Sequence, residues 1–586
     1  MLKLMKRFRS REWAIIAICV ALVVAQVWLD LRLPEYMSEI TALVQTPGGA
    51  MADVFRTGGR MLLCALVSLV TSVTVGFFTA RLAARFSRQL RSDLYRQVQA
   101  FSRREINEFS TASLITRCTN DVTQVQMVIA MGLQVVVKAP IMAAMAIGKI
   151  RIHGNVEWSL LTACAIGLIL LVILFLMMYA MPKFKRIQGL TDNLNRVTRE
   201  NLSGLRVVRA YNAEQFQQDK FEKANGDLTE TQLKAQRAMA VMNPTMSLVM
   251  NGMTLGVYWV GAYLLQAAGM AERLGLFSGM VVFSSYAMQV IMSFMMLVMV
   301  FVMLPRFNVS AVRINEVLQM PIAIRDGDFD GQTGARRGEV EFRHVSFRYP
   351  DAEDYVLRDI SFTARQGETV AFIGATGSGK STVVNLAARF YDATEGQVLI
   401  DGVDVKQYRQ SALHDKLGYV SQKAVLFSGT VEQNVALGDN GRAAPTRAQV
   451  AKAIQIAQGT DFVEALPDAY AGAVAQNGTN FSGGQKQRLS IARAVCRQPE
   501  IYIFDDSFSA LDYRTDRVLR TELKRQTAGV TSLIVAQRIG TIMDADRIIV
   551  LSEGRVVGMG AHEELLRNCD VYREIAESQL SKEELA

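Results

Sequence analysis

Six apolar runs, each long enough to cross a bilayer, occupy the first half of the chain and decide its fold class. They are about Trp13–Tyr36, Arg60–Leu82, Val128–Ile150, Trp158–Met181, Val241–Ala267 and Leu276–Leu304. A hydrocarbon core about 30 Å thick takes roughly 20 apolar residues of helix. With no water at that depth, the backbone must satisfy its own polar groups, which makes these runs helices. Gln26 and Asp30 interrupt the first. The outer connections Gln45–Asp53, Arg151–Glu157 and Ala268–Gly275 are short. The inner ones, about Ala83–Met127 and Pro182–Ala240, are long, charged and helix-friendly. Helices running far past the bilayer account for both.

The formal net charge is +9, which raises the question of a nucleic-acid partner. Placement argues against one. Lys3, Lys6, Arg7, Arg9 and Arg11 sit directly before the first run, and further Lys and Arg line the long inner stretches. That is the positive-inside pattern, and it puts the amino end in the cytoplasm. A basic start before an apolar run also describes a signal peptide. Five further runs follow, so Trp13 onward reads as an anchor that stays. The cysteines at 19, 64, 118, 164, 496 and 569 show no paired or metal-binding spacing. No disulfide framework is expected.

The second half reads as a soluble α/β domain. Gly374-Ala-Thr-Gly-Ser-Gly-Lys380-Ser381 fits G-x-x-x-x-G-K-[ST]. Glu368–Ile373 before it reads as a buried strand, and Val383–Phe390 after it as an apolar-faced helix. In such a loop, backbone N–H groups turn onto the phosphates of a nucleoside triphosphate, and the helix N-terminus adds its positive end. The predicted nucleotide contacts are Gly374, Thr376, Gly377, Ser378, Gly379, Lys380, Ser381 and Thr382, with Lys380 on the β/γ-phosphates and the Ser381 hydroxyl on Mg2+. ATP and Mg2+ are the expected ligands.

Other motifs follow in order. Arg306–Gly338 has the composition of a linker, and Val340–Arg348 alternates as a strand ending at Tyr349-Pro350. Tyr349 is placed to stack on adenine. Leu417-Gly-Tyr-Val-Ser-Gln422 is a strand ending in an amide, and Phe481-Ser-Gly-Gly-Gln485 opens a helix. Ile501-Tyr-Ile-Phe-Asp505-Asp506 is an apolar strand ending in carboxylates suited to Mg2+. Ser509-Ala-Leu-Asp512 and the strand Ser532–Ala536, ending at Gln537, complete the series.

This order resembles the nucleotide-binding domain of ABC transporters, and the signature Phe481-Ser-Gly-Gly-Gln-Lys-Gln-Arg488 is close to diagnostic. Six spans ahead of the domain resemble an exporter half-transporter. The resemblance implies two halves head to tail, with each ATP between one P-loop and the other half's signature. Ser482, Gly483, Gly484 and Gln485 would then clasp the γ-phosphate held by the partner, with Asp512 nearby. Gln422 would sense Mg2+ and the attacking water, and Asp505 would hold the metal.

Three positions depart from the family. Asp506 stands where the family has a glutamate that polarises the attacking water, one methylene or about 1.5 Å short. Gln537 replaces the switch histidine; an amide can donate to phosphate but cannot become a cation. Ala475-Gln-Asn-Gly478 lacks the acidic residue usual just before the signature. The first two predict slow cleavage at this chain's own site, while the signature is intact. That asymmetry resembles the degenerate-site subunit of heterodimeric bacterial multidrug exporters, whose partner half-transporter carries the glutamate and histidine.

In the membrane half, Met292, Met296, Met299 and Met303 share one helix face, as do Met246, Met250 and Met253. Thioethers suit varied apolar ligands, and equally suit helix packing or lipid contact. Lys138 is an ionisable group at membrane depth, expected to pair with a carboxylate or face a cavity. Phe109–Asp121 and Arg199–Tyr211 resemble the two intracellular coupling regions of the family and are expected to form short docking helices.

The expected organisation is a six-span membrane domain over residues 1–305, a linker over 306–338, a nucleotide-binding domain over 339–575 and a tail over 576–586. The expected function is ATP-driven export of hydrophobic, drug-like compounds across the bacterial cytoplasmic membrane. Membrane lipid and a second half-transporter are the expected partners. The alternatives are a homodimeric drug or lipid exporter of low turnover, and a nucleotide-gated regulatory or channel-like protein.

Overall fold

The computed structural model describes residues 4, 6–45, 50–153, 156–332 and 337–580. Lys3, Gly334, the tail beyond 580 and the side chains of Met299 and Met303 lie outside the described residues. The chain divides into two compact units: one holds Met1–Gln97 and Ala112–Gln319, the other Val98–Thr111 and Met320–Ala586.

The first unit is helical. Among the described residues, six helical segments are long and apolar enough to cross a membrane: Ser10–Gln45, Met51–Gln99, Thr111–Ile152, Val156–Ser203, Glu214–Ala267 and Gly275–Leu297. Met51–Gln99 and Val156–Ser203 have 49 and 48 residues. At 1.5 Å per residue each runs about 70 Å, more than twice the hydrocarbon thickness, so the first part of each long connection is a helix extension. Leu62, Val70, Phe175 and Leu248 stay exposed, as side chains bathed in lipid do. Trp158, Phe283, Tyr286, Val27 and Met253 pack into the interior of the bundle. Met246 and Met250 join that cluster, so the methionine face of the fifth span serves helix packing, while Met292 and Met296 remain exposed.

Lys138 and Lys149 each meet a carboxylate on the first helix. Lys138 Nζ lies 3.2 Å from Asp30 Oδ2, and Ser68 Oγ donates to Asp30 Oδ1 at 2.5 Å. Lys149 Nζ meets Glu35 Oε1 at 2.5 Å, with the Tyr286 hydroxyl 3.3 Å from the same oxygen. The interruption at Asp30 and the odd lysine at 138 answer each other.

Two boundaries differ from the sequence reading. The last long helix, Met270–Gln319, continues through the first part of the expected linker. The expected tail begins inside the helix Asp570–Gln579, where Ala576 is buried.

The second unit is built on a six-stranded sheet. Its order is Arg555–Gly560, Arg547–Ser552, Thr369–Ile373, Thr531–Val535, Ile501–Asp505 and Leu417–Val420. All neighbours are parallel except the edge pair Arg547–Ser552 with Arg555–Gly560. Parallel strands need crossovers, so the loops that leave their carboxyl ends gather on one edge, where ligands of such sheets bind. A four-stranded antiparallel sheet, ordered Leu357–Ala364, Val340–Phe347, Glu395–Ile400, Val403–Asp404, carries Phe342 and Phe362 into a shared core with Phe372. A second core forms around Val431, Ile454, Val463 and Leu489, under the helix Gly483–Cys496.

Candidate nucleotide site

The strand Thr369–Ile373 delivers the glycine loop to the carboxyl edge of the sheet. Gly374 has φ +151°, and a Cβ there would sit 2.0 Å from the Leu551 carbonyl oxygen, so no side chain fits. Gly379, at φ +96°, is the left-handed residue that starts the helix Lys380–Ala387. These turns aim the loop inward. Ala375, Thr376 and Gly377 are exposed, whereas Ser378, Lys380 and Thr382 are buried. Lys380 Nζ donates to the carbonyls of Gly374 and Ala375 at 2.9 and 2.8 Å. Burial pulls the pKa of this ammonium down, against the pull of the Asp506 and Asp505 carboxylates. A cation folded onto its own loop and partly dehydrated is poised to exchange those carbonyls for phosphate oxygens. Ser378 Oγ is buried without a hydrogen-bond partner in the loop. A buried hydroxyl left unmade is costly and marks a place for an external acceptor.

Ser381 Oγ donates to Asp505 Oδ1 at 2.6 Å. Burial, with Asp506 adding to it, pushes the Asp505 carboxyl above its usual range, and the Ser381 bond opposes the shift. Among the described residues no cluster of three or more His, Cys, Asp or Glu is placed to hold a metal. The oxygen donors of Ser381 and Asp505 do fit Mg2+, which keeps several waters and takes one or two carboxylates beside substrate phosphates. Ser381 and Asp505 would hold such an ion, which would supply charge neutralisation at the phosphates.

Asp506 lies one residue past its strand with φ +49°, a left-handed conformation uncommon outside glycine. Its N–H is held by the Val535 carbonyl at 3.0 Å, which fixes the turn. The side chain accepts two amides on one oxygen: Gln422 Nε2 at 3.2 Å and Gln537 Nε2 at 2.8 Å, both on Oδ2. The three residues singled out in the sequence for departing from or completing the hydrolytic pattern therefore converge on a single atom.

The signature forms the N-terminus of the helix Gly483–Cys496. Ser482 caps it through Gln485 N at 3.3 Å, and Gln485 Oε1 reaches back to Ser482 N at 2.9 Å. Ser482 and Gly483 are exposed, leaving the positive end of a 14-residue helix open to an anion. Asp512 likewise caps the helix Tyr513–Gln526 through Thr515 N at 3.0 Å. Tyr349 stands with its hydroxyl 3.0 Å from Thr382 Oγ1 and its ring edge-on to Phe347 and Tyr391.

The structure gives contacts at the site to residues that the motifs left without a role. The Tyr419 hydroxyl lies 3.4 Å from Asp505 Oδ2, and its ring packs at 5.1 Å on Phe390. Arg103 stacks over the other partner, its guanidinium 5.2 Å from the Phe390 ring. Arg103 belongs to a short helix, Arg103–Phe109, capped by Ser102 and Glu105. This helix lies in the nucleotide unit, just ahead of the Phe109–Asp121 stretch. Glu105 Oε1 also accepts from Ala323 N at 3.3 Å. Phe109 ends the helix and Ser110 turns at φ +57°; Thr111–Thr116 and the π-helical turn Arg117–Asp121 then lead into Val122–His153. The second expected piece does form a short helix, Leu205–Ala210, with Leu205, Val207 and Tyr211 exposed.

Comparison with known proteins agrees with this geometry. The ABC transporter transmembrane region family matches residues 16–304, and the ABC transporter family matches 357–509. An uncharacterized ABC transporter ATP-binding protein of Mycobacterium tuberculosis (strain ATCC 25618 / H37Rv) is 38% identical over 552 residues, covering 93% of each chain. This chain belongs to the ABC transporter family. A Bacillus subtilis (strain 168) ABC transporter ATP-binding protein is 34% identical over 91% of each chain. An ATP-dependent lipid A-core flippase of Syntrophus aciditrophicus (strain SB) is 30% identical over 88% of this chain and 84% of its own. A solved structure of a bacterial Atm1-family ABC exporter with ATP bound shares the fold, with a TM-score of 0.80 at 24% identity over 98% of this chain and 100% of that one. As an ABC transporter half the chain is an integral, multi-pass bacterial membrane protein that binds and hydrolyses ATP in support of transport.

Proposed function

We propose that this chain is one half of an ABC exporter that moves hydrophobic, lipid-like molecules by alternating access, with slow ATP cleavage at its own nucleotide site. The observation that carries the slow-site reading is Asp506 Oδ2 holding both Gln422 at 3.2 Å and Gln537 at 2.8 Å. A carboxylate about 1.5 Å short of the glutamate's reach orients water poorly, even with two neutral amides fixing its Oδ2 in place. Gln537 cannot supply the cation that a histidine can.

In this reading Gly374–Thr382 cradle the phosphates, Ser381 and Asp505 hold Mg2+ with Gln422 beside it, and Tyr349 stacks on adenine. Ser482–Gln485 and Asp512 serve the nucleotide bound by the other half. Leu205–Ala210 docks on a nucleotide domain. Arg7, Arg9 and Arg11 ahead of the first span support a cytoplasmic N-terminus and nucleotide domain. The membrane domain covers 1–305 with its helical extension, and the nucleotide-binding domain begins near 339.

The flippase relatives support an amphiphilic, lipid-like substrate. Hydrophobic drug-like compounds share the needed chemistry. In a dimer of two copies both sites carry Asp506 and Gln537, so turnover is low. The second reading is a heterodimer, favoured by the intact signature beside replaced hydrolytic residues. There the partner supplies the glutamate and histidine, and the faster chemistry occurs at its P-loop.

Purification of the tagged full chain from its native membrane, followed by ATPase measurement in lipid nanodiscs, tests both. Slow hydrolysis by the chain alone is expected, and brisk hydrolysis would defeat the slow-site reading. Copurification of a second half-transporter selects the heterodimer; its absence selects the homodimer. Proteoliposomes in which a fluorescent phospholipid crosses only with ATP hydrolysis support export, whereas flux without hydrolysis supports a gated channel.

A further inference from the structure

The last turn of the C-terminal helix Asp570–Gln579 is tied into the nucleotide site. Gln579 Nε2 donates to the Gln537 carbonyl at 2.9 Å, and Gln579 Oε1 accepts the Ile539 N–H at 2.8 Å. One primary amide thus spends its donor and its acceptor on the same three-residue stretch, which fixes both position and orientation of that backbone. Gln537 then turns its own side chain onto Asp506 Oδ2 at 2.8 Å. The helix does not need these bonds to dock: Tyr572 and Ala576 are buried in an apolar cluster with Ile539, Ile542 and Leu565. The Tyr572 ring also meets His562, whose Nδ1 is 2.7 Å from the Tyr572 hydroxyl. Apolar packing anchors the helix, and the amide at its end is left to act on the loop.

We propose that Gln579 is a positioning residue for ATP cleavage: it holds the Gln537 amide on Asp506 and so sets the cleavage rate at this chain's own site. The inference rests on the reading of Asp506 and Gln537 as the groups that face the attacking water. Gln579 touches neither side chain, and acts through the backbone of residues 537–539.

The test uses the full chain in lipid nanodiscs, single-turnover cleavage of radiolabelled ATP with protein in excess, and MANT-ATP titration. Gln579→Ala is expected to slow cleavage on the order of tenfold, within the roughly 10²-fold that a 1 Å misplacement can cost. MANT-ATP affinity is expected to stay within about twofold of the original, since no phosphate contact in the P-loop is touched. Gln579→Glu keeps the acceptor for Ile539 and loses the donor to Gln537, so its loss is smaller; it also replaces the alanine variant if that one does not fold. In a Gln537→Ala background, Gln579→Ala is expected to add no further loss, because no side chain is left to orient. Equal cleavage with and without Gln579 overturns the proposal. So does an equal fold-loss in both backgrounds, which is the mark of a purely structural role. Loss from Gln579→Ala with none from Gln537→Ala refutes the reading of Gln537 and the proposal with it. Loss from Gln537→Ala with none from Gln579→Ala refutes the proposal alone.

Discussion

The Lys138 ammonium and the Asp30 carboxylate meet at 3.2 Å, joining the third membrane helix to the first. Both side chains are about a quarter exposed. A charge at this depth is tolerated only with a partner, and Ser68 completes the set on Asp30. Lys138→Met leaves Asp30 uncompensated. Its expected cost is about 2 kcal/mol, between an exposed pair and a fully buried one. A lower Tm in detergent reads the loss. The exchange Asp30→Lys with Lys138→Asp is expected to recover most of it. A single variant as stable as the original shows the pair to be dispensable.

Arg103 covers the Phe390 ring at 5.2 Å, and Phe390 meets Tyr419, whose hydroxyl is 3.4 Å from Asp505. The short helix Arg103–Phe109 therefore rests on side chains that touch the proposed metal ligand. Arg103→Ala removes a cation–π contact of about 1 kcal/mol. The expected result is unchanged MANT-ATP binding and a severalfold loss in the stimulation of ATPase by transported lipid. Unaltered stimulation would detach this contact from transport.

Ser482 and Gln485 pair with each other at the exposed start of their helix. Loss of the cap by Ser482→Ala costs about 1 kcal/mol of helix stability. If the signature serves the other half's nucleotide, ATPase of the dimer falls at least about tenfold while MANT-ATP binding at this chain's own P-loop persists. A dimer that keeps its turnover contradicts the cross-subunit assignment.

Lys380 gives the control on nucleotide binding. Its ammonium is buried and bonded to loop carbonyls. Lys380→Ala removes a charge-assisted contact worth about 1.5–3 kcal/mol, so MANT-ATP affinity is expected to fall about tenfold or more. Equal affinity would mean that phosphate is held elsewhere.

The P-loop and the signature were legible because each motif is contiguous and its backbone demands are local. Gly374 accepts no side chain beside the Leu551 carbonyl, and Ser482 with Gln485 spells a capping box. The membrane spans were legible from length and apolarity alone. Residues brought in from distant sequence were not: Tyr419, Arg103 and Gln579 reach the site from three separate elements, and no spacing announces them. Lys138 was visible as an odd charge, yet only the fold shows that it meets Asp30. The short helix Arg103–Phe109 lies just ahead of the expected Phe109–Asp121 stretch. Its signal in the sequence is Ser102-Arg-Arg-Glu105, a capping-box pattern. Residues 306–319 read as linker because the glycines and aspartates further on dominate the composition of 306–338, whereas the helix runs to Gln319.

The central claim is that Asp506 and Gln537, not weak ATP binding, make this chain's own site slow. Single-turnover cleavage of radiolabelled ATP by the full chain, compared with its Asp506→Glu, Gln537→His double variant at equal MANT-ATP occupancy, tests it most directly. The account predicts that the double variant cleaves on the order of 10²-fold faster, the lower end of what a well-placed general base contributes. Equal rates at equal occupancy would contradict it.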